Sequence, residues 1–275
     1  GLIMQAMKFR ELENVKLLKE RCDKHDEPLR QIYDGEPYCQ QCAMAELKRA
    51  EEEKIKQLTK ESQRTRVQGY LKRKSLLHDE SLKRATFDQF VASKGTEAYQ
   101  NKQKSRMIAK DYLDGKHYNT LLSGDVGVGK SHLAMSILLA VNEYSDPFRR
   151  CAFISVADMI NQIKNSFDDP QSRYSKQYFM TIAKEADVLV LDDIGAETGH
   201  IGTHKQATDF VNEVLYSLLN YRSTKPTIFT TNMTSKHFEQ LYDDKVLSRI
   251  GRGTAINQSL ITFKHTPDKR AMLDF

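Results

Sequence analysis

The chain has 275 residues, enough for one domain of ordinary size and a smaller second one. Hydrophobic residues make up 39% and charged residues 29%, and no apolar run approaches the ~20 residues a helix needs to cross a bilayer, which excludes a membrane-spanning helix. The formal charge of +5, from 42 Lys and Arg against 37 Asp and Glu, is compatible with nucleic acid without establishing it, so the position of the charges matters more than their sum.

Gly1-Leu2-Ile3-Met4 shows no basic segment followed by a long apolar run, so no secretory leader is read and a cytoplasmic protein is expected. Residues 5–20 carry Met7, Leu12, Val15 and Leu18 at spacings near three and four, among Lys8, Arg10, Glu11, Glu13 and Lys16. This predicts a short amphipathic helix, whose apolar stripe either packs on the segment that follows or docks on another protein. Cys22-x2-His25 and Cys39-x2-Cys42 then come thirteen residues apart, bridged by a loop with Pro28, Gly35 and Pro37. Two paired-ligand knuckles at this spacing suit a tetrahedral Zn²⁺ with all four positions filled, hence a structural site. Cys151 stands alone, and the pattern is not the disulfide framework of a secreted domain. A module this small lacks a core of its own and draws its folding free energy from the metal.

Residues 44–78 run without Pro and with a single Gly69, rich in Ala, Glu, Lys, Leu, Gln and Arg, which predicts one long or broken helix as a connector. Arg64, Arg66, Lys72, Arg73 and Lys74 in its second half read first as a solvated face and only second as a nucleic-acid contact. The resulting division is 1–50 for the zinc module, 51–85 for the helical linker and 86–275 for the larger domain. In the last of these, Asn119–Ser123, Cys151–Val156, Val188–Leu191 and Thr227–Thr231 are short apolar runs separated by stretches long enough for crossover helices. They predict an α/β fold, a parallel sheet with helices on both faces.

Gly124-Asp125-Val126-Gly127-Val128-Gly129-Lys130-Ser131 fits the phosphate-binding loop pattern G-x-x-x-x-G-K-[ST], after the strand-like Tyr118–Leu122 and before a helical Ser131–Val141 that includes His132. The glycines let backbone N–H groups turn inward on phosphates at a helix N-terminus, where unpaired donors and the macrodipole favour negative charge. Lys130 then reaches the outer phosphates of ATP and Ser131 ligates Mg²⁺. Val188-Leu189-Val190-Leu191-Asp192-Asp193 is a buried strand delivering two acids to its C-terminal end, with Asp192 on the magnesium side and Asp193 placed to polarise the attacking water. Phe229-Thr230-Thr231-Asn232 ends a further strand with an amide able to orient water, and Leu247-Ser248-Arg249-Ile250 offers an arginine on a helix.

This order of P-loop, acid-terminated strand, Thr-Asn strand end and later Ser-Arg resembles an AAA+ ATPase, over about residues 85–260. Within that class, Asp192-Asp193-Ile194-Gly195-Ala196-Glu197 and the Gly124–Ala134 stretch resemble the bacterial and phage replicative helicase loaders of the DnaC/DnaI type. The resemblance implies Asn232 as the sensor-1 residue and Arg249 as an arginine finger acting on a neighbouring subunit's ATP; a surface Arg paired with Asp243 or Asp244 is the alternative. Most AAA+ proteins carry Glu where Asp193 stands, and the shorter carboxylate is expected to slow hydrolysis. About two dozen residues follow Arg249, so little or no C-terminal helical lid is expected, and Arg270 is a weak substitute for the usual sensor-2 arginine. DnaI-type loaders resemble the N-terminal arrangement too, with a zinc-containing domain that grips the helicase. The resemblance therefore implies an ATPase that delivers a hexameric replicative helicase onto single-stranded DNA, as a homo-oligomer of up to six subunits and without a membrane. An IstB-type ATPase helper of transposition and a non-catalytic, ATP-binding regulator are the other readings weighed.

Overall fold

A computed structural model describes residues 15–169, 171–198 and 207–269. They fall into two compact units that meet between Gln63 and Arg64.

The first unit begins with an antiparallel pair, β1 (Val15–Arg21) and β2 (Pro28–Ile32), in which Val15 lies opposite Ile32 and Arg21 opposite Pro28. The helix expected over residues 5–20 is therefore corrected for its second half, where Val15–Arg21 is a strand; residues 5–14 lie outside the described residues. The physical reason is the turn at Cys22–Glu27, closed by Cys22 N to Glu27 O at 2.9 Å and Asp26 N to Cys22 O at 2.9 Å, which folds the flanking segments onto each other as a hairpin. Pairing across that turn outweighs a helical spacing carried by only a few apolar residues. Helix α1 (Gln40–Lys74) follows and continues past the boundary into the second unit, 35 residues of strong helix formers whose one buried side chain, Tyr70, belongs to the second unit. A helix so polar on all sides takes little stability from burial and relies on propensity and local pairs.

In the second unit a five-stranded sheet has the order β4-β5-β6-β3-β7, formed by β3 (Thr120–Gly124), β4 (Cys151–Ser155), β5 (Val188–Asp192), β6 (Thr227–Thr231) and β7 (Leu260–Phe263), all parallel. Every residue of β4, β5 and β6 is buried, as a sheet covered on both faces requires. Strand alternation sorts them into two cores. Cys151, Phe153, Val188, Val190 and Ile228 face α2 (Glu97–Leu113) and α3 (Lys130–Tyr144). Ala152, Ile154, Leu189, Leu191 and Phe229 face α4 (Val156–Asn165), α5 (Lys176–Glu185), α6 (Asp209–Asn220) and α8 (Asp244–Ile250). Ser and Thr start the helices: Ser155, Ser175, Thr208 and, for the short α7 (Ser235–Leu241), Thr234 each accept a backbone N–H three residues on. Among the described residues beyond α8, only the strand β7 is regular structure of any length.

From β3 the chain crosses to β4, three positions away past β6 and β5, so the strand order reverses beside β3. Crevices that bind ligands in open α/β sheets form at such reversals, outside the carboxyl ends of the strands. The four strand expectations match observed strands to within a residue at each end, and the α/β parallel fold is the one observed. No described helix is long and apolar enough to cross a membrane.

Candidate functional site

A cleft of about 910 Å³ opens at the carboxyl ends of β3, β5 and β6, lined by Gly127, Lys130, Ser131, Asp192, Asp193 and Asn232 among others. Gly124 closes β3, and the loop from Asp125 to Val128 runs into Gly129, the residue before α3, so its backbone donors sit at a helix N-terminus. Gly127 and Gly129 adopt φ of 81° and 101°. The strain is not the only reason for glycine there. A Cβ on Gly127 would stand 1.8 Å from the Asp268 carboxylate, and one on Gly129 would stand 2.5 Å from the Phe90 ring. Lys130 donates from Nζ to the Asp125 carbonyl at 2.6 Å, folding its ammonium over the loop.

Opposite the loop, Asp192 is buried, and its carboxylate hydrogen-bonds the hydroxyls of Ser131 and Thr230, the latter donating to Oδ1 at 2.7 Å. Ser131 and Asp192 thus supply two adjoining oxygen ligands of the kind Mg²⁺ selects. Asp193 is a left-handed residue at φ 55°, fixed by its N–H to Thr230 Oγ1 at 2.8 Å and by Ile194 N to Thr230 O at 2.9 Å. Asn232 donates from Nδ2 to Asp193 Oδ1 at 2.7 Å. Burial pushes both carboxyls up, opposed at Asp192 by the Ser131 and Thr230 hydroxyls and at Asp193 by the positive charge of Lys130. A cation entering between them would favour the ionised form of both. Thr230 organises the two acids, a role hidden in the sequence, where it is one β-branched residue in a buried strand.

At the other end of the cleft, His132 donates from Nε2 to the Thr86 carbonyl at 2.8 Å and meets the Phe90 ring edge to face. The segment after β7 lies across the P-loop. Glu97 anchors it by accepting from Lys264 N at 2.8 Å, His265 N at 2.9 Å and Thr266 Oγ1 at 2.7 Å. Lys269 N then donates to Gly127 O at 3.0 Å, while its ammonium sits 3.4 Å from the Phe90 ring centroid. Arg270 lies outside the described residues; its neighbour Lys269 is the cation at the P-loop.

Arg249 is not among the residues lining the cleft. Its Nε donates to Asn220 Oδ1 at 2.7 Å, its Nη1 to Lys245 O at 2.9 Å, and its guanidinium stacks 4.2 Å from the Tyr216 ring centroid. These contacts replace the surface ion pair with Asp243 or Asp244 that was the alternative to a finger.

In the first unit, the ligand atoms of Cys22, His25, Cys39 and Cys42 all lie within 4.8 Å of one another. Cys22 Sγ and Cys42 Sγ are 3.8 Å apart, and His25 Nδ1 is 3.7, 3.4 and 3.4 Å from the sulfurs of Cys22, Cys39 and Cys42. Around a tetrahedral zinc with Zn–S near 2.3 Å and Zn–N near 2.0 Å, sulfurs stand about 3.8 Å apart and sulfur–nitrogen pairs about 3.5 Å, so the set fits that ion. The thiols are mutually opposed without one: the N–H groups of Lys24 and His25 pull Cys22 down to about 6, while burial and the neighbouring sulfurs push Cys42 up to about 11.

A phosphate-binding loop between a buried parallel strand and a helix, facing two acids at the end of a nearby strand, defines a P-loop nucleotide-binding protein. The chain belongs to the family of IstB-like ATP binding proteins, whose model matches residues 37–258. It is 26% identical over 155 residues to the replicative helicase loader DnaC of Escherichia coli strain K12, covering 56% of this chain and 58% of that protein. It thus spans a little over half the length of that relative. It is also 27% identical over 186 residues to the chromosomal replication initiator protein DnaA of Borrelia duttonii, covering 66% of this chain and 34% of DnaA. Among solved structures, that of DnaI superposes with a TM-score of 0.54 at 21% identity, covering 74% of this chain and all of the solved chain, and thereby shares its fold.

Proposed function

We propose that the chain is an ATP-dependent loader that delivers a hexameric replicative DNA helicase onto single-stranded DNA. The observation that carries this reading is the convergence of Lys130, Ser131, Asp192, Asp193 and Asn232 on one cleft, in a chain related to a replicative helicase loader. Lys130 and the loop N–H groups hold the outer phosphates, and Ser131 and Asp192 would hold Mg²⁺, which would screen phosphate charge. Asp193 polarises the water and Asn232 orients it for attack on the terminal phosphorus, whose bond to the ADP oxygen breaks to release ADP and phosphate. Arg249, half-buried on α8 beside α6, acts across a subunit interface on a neighbour's nucleotide. ATP at such interfaces favours one assembly geometry, and loss of the terminal phosphate removes the contacts that favour it. Cys22, His25, Cys39 and Cys42 hold a structural zinc that folds the helicase-binding unit. The protein works in the cytoplasm as a homo-oligomer on the helicase.

A second reading, an IstB-type ATPase helper of transposition, takes its support from the family match over residues 37–258. The Cys22-His25 half of the metal cluster lies outside that match, and a loader's helicase-binding module accounts for it better. Affinity capture with the zinc-loaded full chain and ATP distinguishes the two. A loader retains the source's ring helicase and not its transposases; retention of a transposase with no helicase would replace the first reading by the second.

A further inference from the structure

The chain between α1 and α2 approaches the cleft in a way the nucleotide machinery above leaves unused. Leu76 adds one residue of parallel pairing at the β4 edge, donating from N to Phe153 O at 2.9 Å and accepting from Ser155 N at 2.8 Å. Ser75 Oγ accepts the Phe153 N–H at 2.9 Å, and Asp79 caps the 3₁₀ turn Glu80–Arg84 through Ser81 N at 2.9 Å. His78 is therefore held between two anchored neighbours and lines the cleft. Its Nδ1 lies 3.2 Å from Asp158 Oδ2, in the first turn of α4.

Charge around this end of the cleft is lopsided. Asp158, Asp192 and Asp193 line it with Lys130, whereas Lys269 and His132 are turned onto the Phe90 ring, and burial lowers the His132 pKa. His78 is the further basic side chain lining the cleft beside these acids, and after Lys130 it is the group that favours the ionised form of Asp193. The pair with Asp158 does not explain its position by stability, because the His78 side chain is 81% exposed and exposed pairs contribute little.

We propose that His78 is a specificity-determining residue of the nucleotide site: it turns from Asp158 to the terminal phosphate of ATP and so makes the cleft prefer ATP over ADP. ADP lacks that phosphate and leaves His78 with Asp158. The preference is thereby tied to the joint where the last turn of α1 meets the sheet edge, since Ser75 and Leu76 lie three and two residues before His78.

The inference rests on the cleft being an ATP site, and the test separates the two. A non-hydrolysable ATP analogue and ADP are titrated, with Mg²⁺, into the full chain and its His78→Ala, His78→Lys, Asp158→Asn and Lys130→Ala variants. For an exposed charge the expected loss in His78→Ala is about fivefold in analogue affinity with ADP affinity unchanged. His78→Lys restores the preference, and Asp158→Asn, which frees His78, leaves or increases it. Equal weakening of both nucleotides in His78→Ala, no change in either, or no rescue by lysine would overturn the role of His78 while leaving the ATP site standing. A wild-type chain that binds neither nucleotide, or binds both as well with Lys130→Ala, would overturn the site itself.

Discussion

Thr230→Val removes one hydroxyl and keeps the shape of a side chain that is 1% exposed. The hydroxyl donates to Asp192 Oδ1 at 2.7 Å and accepts the Asp193 N–H at 2.8 Å. A hydrogen bond to a charged group contributes about 1.5–3 kcal/mol and a neutral one about 0.5–1.5 kcal/mol, so the two together sum to roughly 2–4 kcal/mol. Part of that sum holds Asp193 at φ 55°, a conformation that costs a non-glycine residue on the order of 1–3 kcal/mol. Valine therefore destabilises the second unit, by at least about 4–8 °C in melting temperature for 2 kcal/mol, and lets Asp193 leave its position. Steady-state ATP hydrolysis should fall about 10- to 100-fold in kcat, while equilibrium binding of ATP changes less than about threefold, because Lys130 and the loop are untouched. Thr230→Ser keeps the hydroxyl and should retain most activity. A valine variant that melts and turns over like wild type, or a serine variant as impaired as valine, would refute the reasoning.

Lys130→Ala should abolish nucleotide binding, whereas Asp193→Asn should preserve it and slow hydrolysis; equal loss of ATP affinity in both would show Asp193 to be misassigned. The purified chain should contain one zinc, and chelation should unfold the Cys22–Cys42 hairpin while nucleotide binding persists; absence of zinc on metal analysis would remove the ligand assignment. Arg222, 2% exposed, has its pKa pulled down to about 9 by burial, still protonated at neutral pH, and donates to the carbonyls of Ala183, Ala186, Asp187 and Pro226 and to Thr227 Oγ1. Arg222→Met strips these acceptors of their donor and should cost about 3–5 kcal/mol in chemical denaturation; a loss under 1 kcal/mol would mean water replaces the guanidinium. Arg249→Ala should leave nucleotide binding by a single subunit intact and lower hydrolysis in the assembly, and mixing it with Lys130→Ala subunits should recover activity at interfaces pairing an intact loop with an intact finger. No recovery at any ratio, with assembly confirmed, would make Arg249 a structural residue that only joins α8 to α6.

The parts of the molecule that could be read from residues alone are those in which neighbours in sequence do the chemistry. The loop from Gly124 to Ser131 is continuous, and Asp192 and Asp193 follow four apolar residues of a strand buried on both faces, so pattern and place coincide. The fifth strand, Leu260–Phe263, escaped because four residues with one exposed end carry too short a pattern. Val15–Arg21 took a helical spacing and became a strand because a turn at the metal ligands, not local preference, decides its partner. Thr230, His78 and Asp158 escaped for a different reason: each acts through a residue more than 35 positions away, a contact that only the sheet creates. Asp268 and Lys269 are likewise brought to Gly127 by β7 and Glu97.

The most direct test of the proposed function measures loading itself. The source's ring helicase is offered closed circular single-stranded DNA coated with its binding protein, and helicase retained on the circles is counted with no added protein, with the wild-type chain and with Lys130→Ala, each with and without ATP. A loader increases retained helicase several-fold with wild-type chain and ATP, and the increase disappears with Lys130→Ala. Retention that is the same with and without the chain, in the presence of demonstrated ATP binding, would contradict helicase loading and leave an ATPase whose partner is something else.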